Sequence, residues 1–195
     1  MIVFVSVFTW SAIEPADRLT WWLEVLPALV GLGVLVATRH RFPLTNLIYV
    51  LILIHAIILM VGGHYTYAEV PLGDWLREWV NGERNNYDKL GHLAQGLIPA
   101  MITREILIRK RVVTGRGWLI FIVLSVVLAI SAFYELVEWW AALVSSEAAD
   151  SFLGTQGYIW DTQSDMFWAL CGAALALLTL TRRHDHEMDL LTKKS

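Results

Sequence analysis

Apolar residues run along this chain in long blocks, bounded by short polar connections of the kind that separate membrane-spanning helices. Trp21 to Thr38, Leu44 to Val61, Asp88 to Ile108, Trp118 to Val144 and Asp161 to Thr181 are each long enough for a hydrocarbon core of roughly 30 Å. Met1 to Ile13 is also apolar, yet a helix of that length reaches only about 20 Å. It lacks a basic leading region and a small-residue cleavage site, which argues against a removable signal peptide. The pattern predicts an all-α polytopic bundle of about six spans, the first one short. Residues 1–181 form a single transmembrane helical domain, and 182–195 a polar cytoplasmic tail expected to be disordered.

The longest connection runs from Gly62 to Tyr87. Within it Leu72, Trp75, Leu76, Trp79 and Val80 recur at helical spacing opposite Asp74, Arg77 and Glu78. That predicts a short outer interfacial helix near 72–80.

Composition agrees with a membrane setting: 56% of the 195 residues are hydrophobic, and the mean hydropathy is +0.53. A net charge of -3 matters less than where the charges lie. Cys171 is the single cysteine, so an intramolecular disulfide is excluded. Basic residues are scattered in short loops, which excludes a nucleic-acid face and leaves the lipid bilayer as the expected partner. If loops alternate sides, one side collects Arg39, Arg41, Arg104, Arg109, Lys110, Arg111, Arg116, Arg182, Arg183, Lys193 and Lys194. The other holds only Arg18, Arg77, Arg84 and Lys89. The positive-inside rule makes the first side cytoplasmic, with the C-terminus inside.

Acidic residues are skewed to the outer half, and this skew carries the candidate chemistry. Phe133-Tyr-Glu135-Leu-Val-Glu138-Trp-Trp140 sets two glutamates on one face of an apolar helix. A carboxylate inside a span costs about 2.5–3.5 kcal/mol on insertion scales, so it needs a partner. Asp88 and His92 open the fourth span four residues apart, and Asp161 and Asp165 open the sixth at the same spacing. Three helices therefore place Asp88, His92, Glu135, Glu138, Asp161 and Asp165 at one depth, and His64 ends the third span at that level. Carboxylates with an imidazole on facing helices are a way to hold a divalent metal ion.

Plainer readings compete with this one. Asp88 and Asp161 stand where acids cap helices, His92 and His55 also suit hydrogen-bonded packing, and Tyr65 and Tyr67 suit interfacial aromatics. His40, His184 and His186 sit in polar segments with no visible partner. Gly62-Gly63 and the glycines at 154 and 157 read as loop punctuation.

Long ordered blocks then identify a relative. Gly62-Gly-His64-Tyr-Thr-Tyr-Ala-Glu69, Arg84-Asn-Asn-Tyr-Asp88-Lys-Leu-Gly-His92-Leu-Ala-Gln95, Phe133 to Trp140 and Trp160-Asp161-Thr-Gln-Ser-Asp165 resemble the YjdF family of bacterial inner-membrane proteins. That resemblance covers nearly the whole chain and implies a multi-pass protein of the bacterial inner membrane. A looser similarity to VanZ-like membrane proteins rests on Asp88-Lys-Leu-Gly-His92, Glu135 and Asp165. Ala169 stands where that family commonly has asparagine.

Together these features suggest an integral inner-membrane protein with an outer-side acidic and histidine cation site, and metal-dependent chemistry on an envelope lipid as its most coherent reaction. Two alternatives are a proton- or ion-coupled transporter and a non-catalytic envelope or assembly factor.

Overall fold

A computed structural model describes residues 1–79, 84–144 and 159–193; Val80 and the glycines at 154 and 157 lie outside them. Among the described residues the protein is all-α. The helices are α1 (Ile2–Ser11), α2 (Arg18–Thr38), α3 (Asn46–Tyr65), α4 (Pro71–Trp79), α5 (Tyr87–Arg109), α6 (Arg116–Val144), α7 (Asp161–Thr179) and α8 (Thr181–Thr192). A short 3-10 turn, Tyr67–Glu69, separates α3 from α4.

Local chemistry sets the boundaries. Asp17 caps α2, its Oδ1 accepting the Thr20 amide at 2.6 Å. Hydrogen bonding by Thr20 holds the Asp17 carboxyl below its ordinary range. Helix α4 turns Leu72, Trp75, Leu76 and Trp79 away from the rest of the protein, with Trp79 75% exposed. The helix expected near 72–80 is therefore present, and among the described residues its apolar face is largely exposed.

α5 is the centre, packing on α7, α6 and α3, while α1 lies on α3 and α2 pairs with α3. Its contact with α7 is the tightest. A Cβ on Gly96 would collide with the Ala169 carbonyl, and one on Gly172 with the Leu93 carbonyl. Small residues let two backbones meet in this way. Ala169, fully buried, stands at that crossing, where an asparagine side chain would hold the helices apart. Ile48, Met101, Val123, Val127 and Ala173 form one apolar core, and Trp21, Val25, Ala56 and Met60 a second between α2 and α3.

Among the described residues three helices, α2, α3 and most of α6, are long and apolar enough to cross a membrane, and α7 with α8 makes a fourth if that bent pair counts as one span. Six spans are not reached on this measure, for two physical reasons. α1 has 10 residues, about 15 Å of helix. α5 has 23 residues but buries polar groups among its neighbours, so its composition is not that of a lipid-facing helix.

The segment from Arg182, expected to be disordered, instead forms α8, bent by 65° from α7. Charge holds it. His184 and Glu105 are both 0% exposed, with His184 Nε2 2.9 Å from Glu105 Oε2. Arg104 lies 3.0 Å from His184 Nδ1 and donates to Asp185 at 2.6 Å. Glu105 also accepts from the amide and hydroxyl of Thr45, and Glu187 accepts from the Leu47 amide at 2.7 Å. Two remote carboxylates thereby satisfy the open amides at the start of α3. His184 has partners after all; they lie some 80 residues away in sequence.

Candidate metal centre

At the opposite end of the bundle, the α5–α7 crossing fixes a polar group. Gly96 meets Ala169; one turn toward that end, His92 meets Asp165, because each is four residues earlier on its helix. His92 Nε2 lies 3.2 Å from Asp88 Oδ1 and 3.8 Å from Asp165 Oδ2. One ligand atom from each of Asp88, His92 and Asp165 lies within 4.8 Å of the others. His92 is 5% exposed and Asp165 3%.

The other face of the imidazole is fixed as well. His92 Nδ1 lies 2.8 Å from Gln95 Oε1. An amide oxygen only accepts, so Nδ1 carries the hydrogen and the lone pair of a neutral ring falls on Nε2, toward the two aspartates. Asp165 Oδ1 and Glu135 Oε1 are buried without a hydrogen-bond partner among the described residues. An orientation of this kind, with unsatisfied carboxylate oxygen beside it, is a donor set of the type that suits a cation.

The remaining residues expected at the site divide into three groups. Glu135 is buried beside Thr162, within electrostatic reach of His92, Asp88 and Asp161. Glu138, half-buried, is within reach of Glu135, His92, Glu24 and Asp88. Asp161 is held by Arg84, whose Nη2 lies 2.6 Å from Asp161 Oδ1 and 3.8 Å from Asp88 Oδ2. His64 is elsewhere: its Nδ1 lies 3.1 Å from the Ser11 carbonyl, and its ring sits 4.4 Å from that of Trp10.

The structure adds Glu24, which the reading of the spans passed over. It is 4% exposed, accepts from the Tyr134 hydroxyl at 3.2 Å, and is bonded by Tyr67 and within electrostatic reach of Asp88 and His92. Tyr67, expected at the interface, instead packs its ring against Gly62 and Gly91, where a Cβ would strike it. Burial, and then the Glu24 carboxylate, push the Tyr67 hydroxyl well up, so it stays protonated and donates. Glu24 was legible on the same ground as Glu135: a carboxylate inside an apolar run.

These features define an all-α membrane protein with a buried acid–imidazole group at one end of its bundle. More particularly, the chain belongs to the family described as predicted membrane protein DUF2238, which it matches over residues 1–186. It is 54% identical over 182 residues to the inner membrane protein YjdF of Escherichia coli strain K12, covering 93% of this chain and 87% of that protein. No solved structure matches it. The chain is thus a multi-pass helical protein of the bacterial inner membrane.

Proposed function

We propose that this protein binds a divalent cation at the outer end of its bundle through Asp88, His92 and Asp165, with Glu135 and Glu138 completing or adjusting the ligand set. One observation carries the reading: three ligand atoms from two helices, those of His92 and Asp165 on buried residues and that of Asp88 on a partly exposed one, lie within 4.8 Å of one another, with the histidine turned by Gln95 to face the carboxylates. An ion among them would sit at most about 2.8 Å from each atom, a few tenths of an ångström from ligating distance. One nitrogen and several oxygens suit zinc, manganese or iron better than calcium. The basic residues near 39–41 and 104–116 support a cytoplasmic side at the far end, with the C-terminus inside. In this reading α2, α3, α5, α6 and α7 cross the bilayer, α1 enters it partway, and α4 lies in the outer interface with its tryptophans in lipid.

A cation here would supply a polarised phosphoryl oxygen or an activated water, which makes chemistry on an envelope lipid the reaction class that fits the location. Thermal unfolding in detergent tests the site. Zinc or manganese at 100-fold over its dissociation constant should stabilise the wild type by about 2.7 kcal/mol and leave Asp165→Asn unmoved. Equal responses in both would refute it.

The Glu24–Tyr134 contact favours a second reading, a proton relay leading inward from the site. Proton flux in proteoliposomes that is lost in Glu24→Gln would support the relay, and its absence under every gradient would remove it.

A further inference from the structure

The short α1 leaves a consequence on the other side of the bundle. It covers the faces of α2 and α3 from the site end only to about mid-bundle, where Met1 and Phe4 stop. Beyond that point a groove of about 940 Å³ opens between α2, α3 and α5. Its walls are largely apolar, with Leu32 and Leu35 from α2, Ile52 and Leu53 from α3, Ile98 and Ile102 from α5, and His55 of α3 the one ionisable side chain among them away from the mouth. Pro27 and Pro99 mark its inner limit, and Arg39 and Lys110 stand at its mouth.

Length and charge select the occupant. From Pro27 to Arg39 the wall rises about 18 Å, close to one leaflet of a hydrocarbon core of about 30 Å. A groove of that depth takes one extended acyl chain and ends at headgroup level. There the two cations meet whatever the chain carries. Lys110 Nζ lies 5.2 Å from the Phe42 ring centroid, and the Arg109 guanidinium 4.0 Å from the same ring. Phe42 thus forms an aromatic ledge at the interface, with positive charge above it. Basic pockets between helices on this side of a membrane bind anionic lipid headgroups. We infer that this groove is a binding site for a single phospholipid, one acyl chain lying between α2, α3 and α5 and the phosphate held by Arg39 and Lys110. The inference stands apart from the cation site, at the opposite end of the bundle.

Gly31 provides the test, because it lines the groove and a Cβ there meets nothing within 4 Å. Gly33 is equally open but does not line the groove, so it serves as the control on the same helix. The full chain is purified in mild detergent, stripped of lipid and titrated with dioleoyl phosphatidylglycerol, with adducts counted by native mass spectrometry. The wild type should take one lipid. Gly31→Phe should weaken it tenfold or more, the effect of losing about two buried methylenes, and Gly33→Phe should bind as the wild type does. Gly31→Leu, a smaller filler, should lie between them and guards against a misfolded phenylalanine variant. Arg39→Ala with Lys110→Ala should weaken phosphatidylglycerol by about fivefold or more and leave dioleoylglycerol, which has no phosphate, unchanged. A wild type without a one-to-one adduct, equal binding by Gly31→Phe, or a dimer that covers the groove would each overturn the inference.

Discussion

His92 joins both parts of the site with one ring. Nδ1 is bound to Gln95, and Nε2 faces Asp88 and Asp165. Gln95 is therefore a positioning residue, and its loss frees the ring to turn or change tautomer. Gln95→Leu should weaken cation binding by about 10- to 100-fold, measured by competition with a chelating dye, while Gln95→Glu, which keeps the acceptor, should restore most of it. The pairs Asp88–His92 and Asp161–Asp165 were readable as spacings, and Asp88, His92 and Asp165 do converge. What spacing does not carry is the choice of partner. Arg84 lies four residues before Asp88 in sequence, yet its shorter contact is to Asp161, on another helix.

Helices place these side chains, and each helix is held by a few identifiable contacts. At the α5–α7 crossing, Gly172→Leu would push a side chain into the Leu93 carbonyl. Overpacking of this kind costs about 1–3 kcal/mol or more, and the separation should widen the distance between spin labels on α5 and α7. At the start of α2, the Asp17 cap contributes about 0.5–2 kcal/mol. Because its folded pKa is lowered, that stabilisation is present above the ordinary carboxylate pKa and is lost as pH falls through the lowered value. Asp17→Ala should accordingly melt below the wild type at neutral pH, and the gap should close in acid. At the far end, Glu105→Ala would leave His184, Thr45 and Arg109 without their shared carboxylate. The cost should be about 3–5 kcal/mol, as for breaking a buried pair, read as faster amide exchange across Thr181–Thr192. The sequence of α8 resembles a solvated tail because its anchors are charges, and an apolar pattern is what predicts docking.

At the scale of the molecule, the two ends do different work on one scaffold. One end gathers carboxylates and an imidazole around the start of α5; the other binds α8 and opens the groove below α1. Most helices and their rough limits followed from apolar blocks, since burial in lipid and burial in protein impose the same composition; α8, a polar segment, did not. They differ only at α5, where protein cover lets polar residues in and blurs the span. That the acidic residues gather at one end of the bundle was readable from their places along the helices, but their distances depend on crossings such as Gly96 on Ala169. The central claim, that Asp88, His92 and Asp165 hold a cation, is tested most directly by metal content. Protein purified from cells grown with zinc, manganese and iron should carry close to one divalent ion per chain, falling to near zero in Asp165→Asn and His92→Ala. Negligible metal in the wild type would contradict it.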